Sequence, residues 1–290
     1  MSGLGDGAFA ALQHLLPKHL LSRLVYAGTR SERIWLRNLA LNIFLGQYRI
    51  DMSQAVEPDP YRYPTFNAFF TRALKPEARP IAAEPNALVS PVDGTVSQCG
   101  QITHDSIVQA KGRDYSLTEL LGGDSALAAR YRGGSFATIY LAPYNYHRIH
   151  MPLSGMVRQT LYIPGDLFSV NAATARAVPR VFARNERLVC DFAADQPGGC
   201  DFAMVFVGAL HVGSIETVWC GEVNPPPRSK QQLIAIDTGK GRTLAKGAEA
   251  GRFNMGSTVI LITPPNRVAF DTKLRPLATV TMGERIGTVT

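Results

Sequence analysis

A chain of 290 residues, 46% of them hydrophobic, is long and apolar enough to bury a sizeable core, which excludes a disordered tail. Its formal charge of +7 points to a negatively charged partner, but neither an aromatic-and-basic RNA-binding signature nor zinc-finger spacing is present. An anionic membrane surface is therefore the expected partner, and nucleic acid is not.

Residues 1–50 carry six basic side chains (Lys18, Arg23, Arg30, Arg33, Arg37, Arg49) against Asp6 and Glu32, a net +4. Phe9, Leu12 and Leu16 recur at helical spacing, Pro17 can open a new helix, and Leu20, Leu21, Leu24 and Val25 continue the apolar face. Ser31 is placed to cap a further helix in which Leu36, Leu39 and Ile43 share one face with Trp35 beside it. No uncharged apolar run reaches the roughly 18 residues of a spanning helix. The first positive charge follows the apolar stretch, which argues against a cleavable signal peptide. Residues 1–50 thus read as an amphipathic membrane-association region, with packing on the protein's own core as the alternative. Each basic group near an anionic leaflet adds on the order of 1 kcal/mol.

Pro58, Pro60, Pro64, Pro76 and Pro80 mark 51–85 as an irregular connector. Beyond it, 86–290 reads as one catalytic domain. Strand-like runs at 135–141, 188–192, 202–207, 232–237 and 257–263 are separated by turn residues, with modest helices near 117–121 and 124–132. The expected fold class is α+β: N-terminal amphipathic helices followed by a mainly antiparallel, β-rich domain. Cys99, Cys190, Cys200 and Cys220 form no C-x-x-C pair and read as reduced thiols of a cytosol-facing protein.

Three segments look chemically loaded: S-P-V-D-G-T-V around Asp93, Y-H-R-I-H-M-P around His147 and His150, and M-G-S-T around Ser257. Alone, each has an ordinary reading. Asp93-Gly94 is a hairpin-turn signal, the two histidines lack the Cys or acidic cluster that would complete a metal site, and Gly256-Ser257 is a tight entry into a buried strand. Together, an Asp, a His and a Ser are the parts of a nucleophilic triad.

With their flanking residues, these segments resemble the phosphatidylserine decarboxylase proenzymes of the bacterial and mitochondrial type, which carry an L-G-S-T processing site. The resemblance extends through F-N-A-F-F-T-R at 66–72, P-G-D-L-F-S-V-N at 164–171, F-A-R-N-E-R at 182–187 and V-G-S-I-E-T-V-W at 212–219. Met255 stands where Leu is usual, a volume-conserving swap. The resemblance implies that Asp93, His150 and Ser257 form a relay for self-cleavage between Gly256 and Ser257. It implies a long piece, 1–256, a short piece, 257–290, and a covalent pyruvoyl group derived from Ser257. It further implies phosphatidylserine as substrate, His147 assisting decarboxylation and protonation, no metal, a homodimer, and a peripheral place on the cytoplasmic face of the cell membrane. Arg148, Lys246 and Arg252 are weaker candidates for pairing with the lipid's phosphate or carboxylate. A membrane-tethered Ser-His-Asp hydrolase and a non-enzymatic lipid-binding module remain the alternatives, although Ser257 lacks a G-x-S-x-G elbow.

Overall fold

The computed structural model describes residues 13, 16–110, 112–196, 198–210, 214–223, 232–234 and 242–290. Its centre is a nine-stranded antiparallel sheet. The path across it runs Gln232–Ile234, Gly155–Ile163, Arg187–Ala194, Phe202–Val207, Ser257–Thr263, Ser135–Leu141, Gly94–Gln101 and Thr279–Val280, with Thr243–Leu244 also paired to Gly155–Ile163. Side chains alternate across a strand, so Val259 and Leu261 enter one core while Ile260 and Ile262 enter the other. Both faces of the sheet are therefore covered, and its inner strands read as continuous apolar runs.

One face carries Leu117, Leu127, Tyr131 and Phe182 from the short helices Leu117–Leu120, Ser125–Tyr131 and Val181–Arg184. The other is covered by two smaller sheets. Gly221–Glu222, Ile215–Thr217, Glu249–Phe253 and Arg148–His150 form one, and Ala87–Val89, Arg285–Val289 and Val268–Phe270 form the other. Alternation sets Ser257 on the face of Val259 and Leu261, toward the core that also holds Ile149 and Phe253 of a smaller sheet and the adjoining Met151.

The expected α+β class is observed. The runs 135–141, 202–207 and 257–263 are strands over those bounds, and 188–192 lies within Arg187–Ala194. Of 232–237, residues 235–237 lie outside the described residues, as do Phe9 and Leu12. Asp93-Gly94 is not a hairpin: Ala87–Val89 pairs with Arg285–Val289, whereas Gly94–Gln101 pairs with Ser135–Leu141, so the chain there crosses between sheets.

Among the described residues the longer N-terminal helices are α1 at Lys18–Thr29 and α2 at Ile34–Gln47. Ser31 does not cap α2; Arg33 holds the cap position, and the Ser31 hydroxyl instead accepts the Arg33 N–H at 3.3 Å. The hydroxyl lies two residues too early to reach the first helical turn. In α2, Leu41 and Phe44 turn inward, while Ile34, Trp35, Leu39 and Ile43 are exposed. In α1 the buried residues are polar, Lys18 and Ser22, and Leu20 and Leu24 face outward. Among the described residues no helix is long and apolar enough to cross a membrane. A short helix α3, Phe66–Phe70, capped by the Thr65 hydroxyl on the Ala68 N–H, packs Phe66, Phe69 and Phe70 against Phe44.

Gly94 fits because its neighbours leave no room for a side chain. A methyl group there would meet the Tyr140 carbonyl oxygen at 2.5 Å and the Ile139 side chain at 2.8 Å. Gly94→Ala is expected to destabilise the protein by about 1–3 kcal/mol. The measurement is a lowered urea midpoint at unchanged slope; an unaltered midpoint would mean that the sheet yields at this position.

Candidate active site

Ser257 is fully buried at the head of its strand, opposite Leu141, and its Oγ has no hydrogen-bond partner among the described residues. The bend before it is held from three directions. Asn254 donates its backbone N–H to Ser214 O at 2.9 Å and its side-chain amide to Ser214 Oγ at 2.7 Å, and accepts from Asn67 of α3 at 3.0 Å. Met255 packs against the Phe44–Phe66–Phe70 cluster with φ of +103°, a value L side chains rarely adopt. Strain of this kind, adjacent to the Gly256-Ser257 bond, is retained only where surrounding contacts over-determine the backbone.

His150 ends the Arg148–His150 strand, and its backbone N–H donates to Pro91 O at 2.8 Å, bringing it beside the Asp93 segment. The side chains are not bonded to one another. Asp93 accepts a fork from Arg79, Nε at 2.9 Å and Nη2 at 2.5 Å, and the Met282 N–H at 2.8 Å. His150 Nδ1 lies 2.8 Å from Gly247 O, so it donates there, and Nε2 accepts the Tyr146 hydroxyl at 3.0 Å. Burial depresses the His150 pKa; the Gly247 carbonyl and the charges of Glu249 and Asp93 oppose that effect. Asp93 therefore reaches His150 through its field and not through a hydrogen bond.

His147 is fully buried against the Phe70 ring, 4.1 Å between centroids. Its Nδ1 lies 2.8 Å from Asn145 O and donates, which leaves Nε2 as a lone pair without a partner among the described residues. Desolvation pushes its pKa down to about 3, so the imidazole is neutral. The interior thus holds a serine hydroxyl without an acceptor and an imidazole nitrogen without a donor.

The other cations named from sequence are engaged elsewhere. Arg148 pairs with Glu249 at 2.8 Å, Arg252 forks onto Glu216, and Lys246 donates to Glu84 O at 2.6 Å. Sequence reasoning missed Tyr146, although it stands in the same motif as the histidines. It also missed Arg79, whose place among the prolines of 51–85 carries no chemical signal.

With this geometry in view, comparison with known proteins is specific. A family model described as phosphatidylserine decarboxylase matches residues 66–288, and a second, described as PSD, matches 8–49. A phosphatidylserine decarboxylase proenzyme of Alkalilimnicola ehrlichii is 54% identical over 257 residues, covering 89% of this chain and 88% of the relative. That of Alcanivorax borkumensis is 49% identical over 290 residues, covering 99% and 98%. That of Pseudomonas aeruginosa PAO1 is 49% identical over 280 residues, covering 96% of each. The chain belongs to the phosphatidylserine decarboxylase family.

The buried His147 makes stability depend on pH. An unfolded imidazole titrates near 6.5, so the unfolded chain binds the extra proton between that pH and about 3. The contribution is complete above 6.5 and is lost as pH falls. From pH 7 to 5 an uncut Ser257→Ala protein is expected to lose about 2 kcal/mol through this group. Urea unfolding at both pH values should show that part of the loss vanishing in His147→Asn on the same background; an equal loss in both proteins would contradict the assignment.

Proposed function

We propose that the chain cuts itself between Gly256 and Ser257 and then decarboxylates the serine headgroup of phosphatidylserine, releasing phosphatidylethanolamine and carbon dioxide. The observation that carries this reading is the buried, unpartnered Ser257 Oγ directly after a strained bend. A hydrolase acting on an external ester needs an open nucleophile, whereas this serine is sealed from solvent and covalently adjacent to the Gly256 carbonyl.

In the proposed sequence, Ser257 Oγ bonds to the Gly256 carbonyl carbon while its proton passes to His150 Nε2 and from there to the departing Ser257 nitrogen, so that the peptide bond gives way to an ester and a free amine. The Tyr146 hydroxyl occupies that lone pair in the uncut chain and must turn away first. Asp93, held by Arg79, favours the charged imidazole through its field. Loss of the Ser257 α-proton then expels 1–256 as a carboxylate, and water converts the dehydroalanine left behind to a ketone and ammonia. Position 257 suits such a group, because no hydrogen bond is forfeited when the hydroxyl is consumed. A pyruvoyl group there supplies the electron sink for the carbon that loses carbon dioxide. His147, with Nε2 free, takes a proton from the substrate's ammonium and returns one to that carbon.

The outward leucines of α1, with Ile34, Trp35, Leu39 and Ile43 of α2, support docking of this end on an anionic membrane, where exposed Arg23, Arg33 and Arg49 add attraction. Replacing Leu24, Trp35 and Ile43 by Gln is expected to weaken cosedimentation with phosphatidylglycerol-containing vesicles by about tenfold or more. Unchanged binding by the folded, processed variant would assign the exposed face another role.

The histidines divide the labour. Ser257→Ala and His150→Ala should remain one uncut chain on denaturing electrophoresis. His147→Ala should be cut but release carbon dioxide about 10²- to 10⁴-fold more slowly. Normal cleavage of His150→Ala, or native turnover by His147→Ala, would defeat this division.

A further inference from the structure

Arg72, the last residue of the F-N-A-F-F-T-R segment, is 5% exposed, yet no hydrogen bond or ion pair satisfies its guanidinium among the described residues, and its buried Nε has no partner. The face of Phe69 lies beneath it, 5.6 Å from ring centroid to guanidinium carbon. A guanidinium cannot shed its charge as a histidine does, so burial without a counter-ion is costly unless an anion completes the site. Desolvation acts on Arg72 strongly enough to lower its pKa, against the attraction of Tyr63 and Asp93.

Arg72 lines a cavity of about 300 Å³ with Glu57, Tyr63, Thr71, Arg148 and Arg252. Arg148 is spoken for by Glu249 and the Thr71 carbonyl, and Arg252 by Glu216. Glu57 faces Arg62 at 4.0 Å and accepts the Asp59 N–H at 2.9 Å. Among the described residues, Arg72 is thus the cation of this cavity left without a carboxylate. It is also close to the chemistry: it lies two residues after Phe70, whose ring lies against His147, and its charge is felt by His147.

We propose that Arg72 is the oxyanion-binding residue for the lipid headgroup, engaging its phosphodiester or its carboxylate with the paired N–H groups of the guanidinium. The assignment rests on the phosphatidylserine reading above. The fork is matched to two oxygens of one anion, and the low dielectric of the cavity strengthens the contact. A bound anion there would hold the serine moiety beside His147 while the acyl chains lead outward.

Binding is tested separately from catalysis on uncut, full-length Ser257→Ala protein, titrated calorimetrically with glycerophosphoserine, glycerophosphoethanolamine and L-serine. Arg72→Gln on that background is expected to weaken glycerophosphoserine binding by about tenfold or more, and Arg72→Lys to restore part of it. If the phosphodiester is the partner, glycerophosphoethanolamine suffers the same loss; if the carboxylate is, the loss falls on L-serine and glycerophosphoserine alone. Equal affinities in parent and Arg72→Gln overturn the proposal. Should Arg72→Gln not fold, a folded parent that binds none of the three probes, or an Arg72→Lys protein that binds as tightly as the parent, does the same. Failure of the phosphatidylserine reading itself would appear elsewhere, as absence of carbon dioxide release from the native processed chain.

Discussion

Ser257 opens a strand, Ser257–Thr263, that is hydrogen-bonded on both sides, to Ser135–Leu141 and to Phe202–Val207, with all seven residues buried. That double pairing fixes where Ser257 can be. A cut before Ser257 would free one end of the strand and leave the pairing of Thr258 to Thr263 in place. Residues 257–290 are further woven into the structure through Thr279–Val280 on Gly94–Thr95 and Arg285–Val289 between Ala87–Val89 and Val268–Phe270. Residues 257–290 therefore contribute to two sheets and supply the Met282 N–H to Asp93. Separation of the pieces would require unfolding of the domain, which places a new chain end in a rigid, water-poor site without loss of its surroundings.

The same enclosure sets the electrostatics. Both imidazoles donate Nδ1–H to a backbone carbonyl, of Asn145 and of Gly247, which fixes each ring and leaves each Nε2 as the acceptor. They differ in the company of that atom. His150 has Tyr146 within bonding distance and the fields of Glu249 and Asp93 nearby, whereas His147 has Phe70 on its face and the positive charge of Arg72 beside it. Glu249 and Asp93 ease protonation of His150 while Arg148 opposes it, and Arg72 opposes protonation of His147, so two histidines three residues apart sit in different electrostatic surroundings.

The strands at 135–141, 202–207 and 257–263 were legible because buried inner strands of a sheet covered on both faces are uninterrupted apolar runs bounded by turn residues. Gly94–Gln101 was not, since its T-V-S-Q-C-G-Q pattern is polar and half-buried at the sheet's margin. The motifs named Asp93, His147, His150 and Ser257, but spacing along a chain says nothing about which oxygen meets which nitrogen. Arg79 takes both Asp93 oxygens from a stretch that reads only as a proline-rich connector, a long-range pairing with no local signature. The amphipathic period of α1 and α2 was visible too, but not its sense: periodicity gives an apolar stripe, and only packing decides whether that stripe points inward.

That sense ties the outer surface to the chemistry. In α2 the exposed residues Trp35, Leu39 and Ile43 share a rigid helix with Phe44, whose ring lies 5.4 to 6.0 Å from those of Phe66, Phe69 and Phe70. Phe70 in turn lies against the His147 ring at a 38° tilt, and Met255, one residue before Gly256, packs into the same cluster. Close-packed aromatic groups transmit displacement because they leave no void to absorb it. A force on the outer face of α2 therefore has a continuous path of packed side chains to the imidazole and to the bend before Ser257, while the opposite face of the large sheet, under the helices that carry Leu117 and Phe182, has no part in that path.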